Sequence, residues 1–280
     1  MNALSLPAAL ARPRQLGLRL QLDSSAAEAS DQGLQLLRQV LAKHGVICLI
    51  NQPLTPLQLQ GFVGRWGEVI LLPPGLALSN QEPGFPSITR VGNVRPDGSI
   101  IPAVRFAEYW HHDGDFWKPG QNFIVNFLNC VRVPATGGNT GFLDMRLAYQ
   151  SLSDSEKASL TDAHIWVRAS EISDFKNAAP HELPPDARHP VLLPHPWTKE
   201  LALYLPDSLT GVEGPHGERL GNVEPLVERC VQRVGLHEHV WSAGDLVLMD
   251  NLQVMHRGMG GYGDSPRLLY RCQARLRVEV

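Results

Sequence analysis

Apolar residues recur along this chain in two periods, one near two and one near three and a half. Leu18, Leu20 and Leu22 alternate with Arg19 and Gln21, which predicts a strand with one buried face. From Asp31 to His44 the apolar positions Leu34, Leu37, Val40 and Leu41 have helical spacing; Asp31 can cap the start and Gly45 can end the helix in a left-handed conformation. Val46 to Ile50 is a continuous apolar run of strand length. Thr55-Pro56 reads as an N-cap followed by proline at the first helical position, and Leu59, Phe62, Val63 and Trp66 give that helix an apolar face as far as Gly67. β-type runs cover Ser87 to Val94 and Asn122 to Val133. A helix is expected from near Asp144, and Ser153 to Glu156 carries a capping-box pattern for another. Further strands are expected at His164 to Ala169, Leu201 to Leu205, Asp245 to Asp250 and Leu268 to Val278, with a helix over Val223 to Val234 that ends at Gly235. Residues 71–86 read as a Pro/Gly-rich loop, 171–200 as irregular, and His237-Glu238-His239 as a polar turn.

Helices and strands mix early and strands dominate late. That order predicts an α+β fold, a sandwich or jelly roll with helices packed outside it. The 280 residues, 43% of them hydrophobic, suit a single domain over 1–280, and the 171–200 segment reads as an insertion able to cover a site. A net charge of -3 carries no nucleic-acid footprint, and no apolar run approaches the roughly 18 residues a membrane helix needs. Met1 to Arg14 lacks the basic-then-apolar order of a secretory signal, so a cytoplasmic protein is expected, with homo-oligomerisation left open. Cys48, Cys130, Cys230 and Cys272 form no C-x-x-C pair and are expected as buried free thiols.

The chemistry centres on Trp110-His111-His112-Asp113-Gly114-Asp115-Phe116-Trp117. On an extended segment, side chains two apart share a side, so His111 and Asp113 converge while His112 points away. An imidazole and a carboxylate with one further histidine would make the 2-His-1-carboxylate set of non-haem Fe(II) oxygenases, with positions left open for cosubstrate and O2. His256 is the candidate third ligand. Asp115 reads either as a partner to a ligand imidazole or as a turn residue. His216-Gly217-Glu218 is a rival His-x-carboxylate pair without strand framing. In the last strand Arg267, Leu269 and Arg271 share one face. An arginine aimed into a barrel needs an anion, and its fork matches a carboxylate.

At these residues the chain resembles the taurine dioxygenase/2,4-D dioxygenase (TauD/TfdA-like) group of Fe(II)/2-oxoglutarate-dependent oxygenases. Four segments carry the resemblance: Trp110-His111-His112-Asp113; Pro134 with Gly137-Gly138-Asn139-Thr140 and Phe142 to Tyr149; His189-Pro190-Val191 with Leu203-Tyr204; and Gly244-Asp245, Asp250-Asn251, His256 and Arg267. The resemblance implies a double-stranded β-helix (jelly-roll) core. It implies His111, Asp113 and His256 as ligands of Fe(II), Thr140 and Arg267 on the distal carboxylate of 2-oxoglutarate, and O2 as co-reactant. Arg271 matches a position that meets an anionic substrate group in some members. The implied reaction hydroxylates or desaturates a small, carboxylate-bearing molecule with release of succinate and CO2.

Arg105 to Tyr109 and Lys118-Pro119-Gly120 depart from the substrate-binding patterns of the taurine and 2,4-D enzymes. The aromatic density of Phe106, Tyr109, Trp110, Phe116 and Trp117 admits an aromatic or amino-acid-derived substrate, with Tyr109 and Phe116 as candidate contacts; packing inside the barrel is the competing role. One similar subgroup, in secondary metabolism, acts on isonitrile derivatives of aromatic amino acids. A non-catalytic jelly-roll binding protein and a cupin-like metalloenzyme independent of 2-oxoglutarate stand as alternatives.

Overall fold

The computed structural model describes residues 4–72, 80–102, 107–172, 175, 178–206 and 211–276. Six α-helices and seventeen strands are seen among them. The larger sheet has eight strands. Its path is β1 (Leu18–Leu20), β2 (Val46–Leu49), β15 (Leu246–Asp250), β6 (Ile124–Arg132), β17 (Leu268–Arg275), β5 (Phe85–Gly92) and β4 (Gln81–Glu82), and β3 (Glu68–Val69) also pairs with β17. Facing it is a sheet of β14 (His237–His239), β7 (Thr140–Asp144) and β16 (Val254–Gly258). The pair forms the jelly-roll core, and the helices pack outside.

Alternation decides which core each side chain enters. Ile47, Leu49, Val125, Phe127, Leu246, Leu248, Cys272 and Ala274 point outward from the larger sheet into a core shared with the helices. Their neighbours Val46, Cys48, Leu128, Cys130, Val247, Met249 and Leu269 point the other way and meet Phe142, Val254 and Trp241 between the sheets. The central strands of the large sheet are therefore buried on both faces, which is why β2 and most of β15 appear in the sequence as continuous apolar runs. All four cysteines are buried and free.

The outer layer forms as its local chemistry dictates. In α2 (Asp31–His44) the capping hydroxyl belongs to Ser30 and not Asp31, because Ser30 Oγ accepts the N–H of Gly33; Gly45 ends the helix at φ 78°. α3 (Pro56–Gly64) starts with a reciprocal Thr55/Gln58 capping box and ends at Gly64, three residues before Gly67. A short helix missed by periodicity, α1 (Leu6–Ala11), packs on α2. α4 (Met145–Gln150), capped by Asp144, and α6 (Val223–Val234) flank a third core with α5 (Asp154–Leu160).

Three expectations need correction. His237–His239 is not a turn but strand β14, paired with Phe142, Gly141 and Thr140. Thr140–Asp144, where no strand was expected, is the central strand of the small sheet. The segment 171–200 is not wholly irregular. It contains β9 (Ala187–Pro190), paired with β8 (His164–Val167), and β10 (Leu192–Pro194), paired with β11 (Leu201–Leu203). Strand partners distant in the sequence satisfy the backbones of His237–His239 and Thr140–Asp144, and no local pattern reveals such partners. Part of the 71–86 loop and Arg105-Phe106 lie outside the described residues.

Candidate functional site

Two strand-end segments bring the first cluster together. His111 and His256 exchange both backbone hydrogen bonds, each N–H to the other's carbonyl at 3.0 Å, so the two imidazoles lie side by side with ring centroids 4.2 Å apart. The chain then turns at Asp113, with Gly114 at φ 68°. The extended geometry expected for Trp110–Trp117 therefore holds only to His111 and His112, yet the carboxylate still converges. Asp113 Oδ1 lies 3.8 Å from His111 Nε2, and Asp113 Oδ2 lies 3.7 Å from His256 Nε2.

Neighbouring groups hold each member. His111 Nδ1–H donates to the Tyr109 carbonyl at 2.9 Å, which leaves Nε2 as the nitrogen with the lone pair. Asn251 clamps the Asp113 backbone from both sides: its Oδ1 accepts the Asp113 N–H at 2.9 Å and its Nδ2 donates to the Asp113 carbonyl at 2.8 Å. Asn126 Nδ2 donates to Asp113 Oδ2 at 2.8 Å, and Gln273 Nε2 holds Asn126 in turn at 2.6 Å. Burial works against an ionised Asp113, but Arg271, with Nη1 2.9 Å from Oδ1, leads the opposing influences and brings the carboxyl down to about 2. Burial, reinforced by the neighbouring His111, holds His256 well below the usual histidine range, so it is a neutral imidazole at neutral pH.

Two imidazole nitrogens and one ionised carboxylate, all buried and within 4.8 Å of one another, form a donor set that fits a divalent first-row metal ion. His112 points the other way, as alternation requires: its Nδ1 meets the Asn251 carbonyl and its ring lies against Tyr204. Asp115 lies in the turn, where its carbonyl meets His189 Nε2; the partner to the His111 imidazole is the Tyr109 carbonyl. A second group within 4.8 Å, Cys48, His239 and Asp245, has a different character. Arg19 already spans both Asp245 oxygens at 3.3 and 3.4 Å, and the Ser242 N–H donates to one of them, so this carboxylate anchors a turn.

Beside the first cluster opens a cavity of about 50 Å3, lined among others by Thr140, Arg267, Leu269 and Arg271. The shared face of the last strand is thus turned into the barrel. Arg267 is 5% exposed, and burial lowers its affinity for its proton. Its Nε donates to the Gly138 carbonyl at 2.8 Å and its guanidinium lies over the Tyr262 ring, but among the described residues no carboxylate pairs with it. A buried cation without a counter-ion is electrostatically suited to an anion. Gly138 makes room for it: a Cβ there would meet Arg267 Cδ at 2.9 Å, and φ is +71°.

The remaining candidates are dispersed. Tyr109 supplies its carbonyl to His111 and stands with its ring 5.1 Å from the His111 ring, half-exposed. Phe116 is packed into the third core against Phe175 and Trp117 and does not line the cavity. His216 and Glu218 sit in an exposed turn and face each other only through a backbone N–H. Asn126, Asn251 and Gln273 were not singled out as site residues. A polar side chain inside the apolar run 123–130 was the available signal for Asn126.

Comparison with known proteins places this architecture. The model of a family described as "Taurine catabolism dioxygenase TauD, TfdA family" matches residues 8–273. The alpha-ketoglutarate-dependent 2,4-dichlorophenoxyacetate dioxygenase of Cupriavidus pinatubonensis is 29% identical over 239 residues, which cover 79% of this chain and 81% of that protein. Pentalenolactone F synthase of Streptomyces arenae is 29% identical over 224 residues, 70% of each chain. Among solved structures, AAD-2 in complex with Mn(II) and N-oxalylglycine superposes with a TM-score of 0.74 over 95% of this chain and 96% of its own, at 24% identity, which speaks for the fold.

Proposed function

From a chain that belongs to the TauD, TfdA dioxygenase family, we propose an Fe(II)- and 2-oxoglutarate-dependent dioxygenase that oxidises a small, carboxylate-bearing organic molecule. The observation that carries this reading is a single one: His111 and His256 of the His111/Asp113/His256 cluster line one cavity with Arg267, a cation with no carboxylate partner among the described residues. His111, Asp113 and His256 would hold the metal. Thr140 and Arg267 would take the distal carboxylate of 2-oxoglutarate. Bound Fe(II) supplies the redox chemistry, in which 2-oxoglutarate, O2 and R–H become succinate, CO2 and R–OH, or a desaturated product with water.

The chain's own residues position and shield. Asn251 and Asn126 hold the Asp113 carboxylate so that its oxygens face the two imidazole nitrogens. Leu128 and Leu269 give the cavity apolar walls that exclude water. Arg271 lines the same cavity with Nη1 2.9 Å from Asp113 Oδ1; a metal ion on Asp113 would release the guanidinium for an anionic substrate group, in keeping with a carboxylate-bearing substrate class. The likeness to pentalenolactone F synthase supports a second reading, a substrate from secondary metabolism.

The test is succinate formation from 2-oxoglutarate with Fe(II) under air, alone and with a panel of aryloxy acids and amino-acid-derived carboxylates. Stimulation by one member of the panel identifies the class. Absence of both succinate and Fe(II) affinity would leave a non-catalytic jelly-roll binding protein, and turnover that ignores 2-oxoglutarate would favour a cupin-like metalloenzyme.

A further inference from the structure

We propose that Trp241 is a positioning residue for the cosubstrate: its indole N–H fixes the direction in which the Thr140 hydroxyl donates. The proposal rests on the assignment of Thr140 and Arg267 to 2-oxoglutarate. Pairing of β14 with β7 sets His239 opposite Thr140, and Trp241, two residues on, lies on the same side. Trp241 Nε1 donates to Thr140 Oγ1 at 3.1 Å, with both side chains buried. An indole nitrogen can only donate, so the threonine oxygen is here the acceptor. Its own proton must then go elsewhere. Among the described residues no acceptor takes it, and the Arg267 guanidinium that shares the cavity has none to offer. The hydroxyl is left to donate to an anion that sits beside Arg267.

The indole itself is held. His239 packs edge-on to it, with centroids 4.5 Å apart and planes at 81°. His239 Nε2 lies 3.2 Å from Asp245 Oδ2. Asp245 accepts the Ser242 N–H at 3.0 Å and is spanned by Arg19, so the turn 242–245 that follows Trp241 is pinned. The polar chain from half-exposed Arg19 through buried Asp245 to His239 thus ends on a ring whose one donor points at Thr140. Without that donor the threonine hydroxyl is free to rotate, and an anion must select one orientation from several.

A double-mutant cycle separates this role from simple packing. N-oxalylglycine, a dicarboxylate stand-in for 2-oxoglutarate, is titrated into the Mn(II)-loaded protein by calorimetry. Thr140→Val should weaken binding about tenfold, the size of a lost hydrogen bond to a charged group. Trp241→Phe should weaken it about threefold to fivefold, and Thr140→Ser should restore near wild-type affinity. The Trp241→Phe/Thr140→Val double variant should bind no worse than Thr140→Val alone. Additive losses in the double variant, or a Trp241→Phe affinity within experimental error of wild type, would overturn the positioning role. If Trp241→Phe does not fold, indole N–H resonances of the native protein decide. One of the six tryptophans should shift on adding N-oxalylglycine and stay still in Thr140→Val; no difference between the two proteins overturns the role. Wild-type protein that does not bind N-oxalylglycine, or binds it independently of Arg267, overturns the cosubstrate assignment itself.

Discussion

Replacing Arg267 with methionine tests the anion site in both directions at once. The side chain keeps most of its apolar stem and loses its charge. In the free protein two effects oppose each other. The Gly138 carbonyl loses the Nε donor at 2.8 Å, which costs about 1–3 kcal/mol for an unsatisfied buried acceptor. Against that, a buried guanidinium with no carboxylate partner among the described residues carries a desolvation penalty of several kcal/mol, which the change removes. The melting temperature of the ligand-free protein should therefore stay level or rise. Binding should respond in the opposite sense. A carboxylate that would have met the guanidinium is left unpaired, a loss of about 3–5 kcal/mol. At about 1.4 kcal/mol per decade this is roughly a hundredfold to several-thousandfold rise in the Kd of 2-oxoglutarate. Calorimetry on Mn(II)-loaded protein and a melting curve on the free protein supply the two readouts. A Kd within threefold of wild type would refute the anion-receptor role. A large fall in melting temperature would show that Arg267 serves the fold.

Three further outcomes follow from the same geometry. Gly138→Ala places a Cβ 2.9 Å from both Arg267 Cδ and Pro134 Cγ at φ +71°, so it should destabilise by about 1–3 kcal/mol and raise the 2-oxoglutarate requirement; denaturant unfolding and KM check it. Phe116→Ala should cost about 3–5 kcal/mol of stability while leaving N-oxalylglycine affinity within twofold, because the ring fills the third core away from the cavity; a selective loss of binding would contradict that placement. His44 is buried with Nδ1 accepting the Gln15 N–H and Nε2 against the Ala9 carbonyl, and burial lowers its proton affinity below the ordinary 6.5. The unfolded chain takes up that proton first. The stability His44 contributes is therefore complete above about pH 6.5 and lost as pH falls from there towards the lowered native value, and His44→Gln should flatten that part of the melting-temperature profile.

The sequence was most informative where a requirement is local. A helix needs its cap and its apolar face within one stretch of chain, so Thr55-Pro56, Ser153 to Glu156, Gly45 and Gly235 marked real boundaries. Buried strands are rich in apolar residues, so β2, β6, β15 and β17 were evident before any pairing was known, although Asn126, Asn129, Arg271 and Gln273 interrupt the second and the last of them. The strand period alone set Arg267, Leu269 and Arg271 on one face, and the spacing of His111 and Asp113 survived a turn that was not foreseen. The comparisons then bear out the TauD/TfdA resemblance that four separated segments had suggested.

Tertiary structure decided what depends on partners far along the chain. Whether His237–His239 is turn or strand depends on β7, some hundred residues earlier, whose carbonyls and N–H groups it meets. That Asn126 and Asn251 hold Asp113, or that Trp241 faces Thr140, follows from sheet register, and register is a property of pairs of strands. Phe116 illustrates the limit from the other side: an aromatic beside a candidate ligand can line a pocket or fill a core, and its neighbours in sequence are the same either way. The chain alone determined which residue types and periods were available for a site; only the folded sheets determined which of them share a space, because the distances that make chemistry are set by contacts between segments that have no local reason to meet.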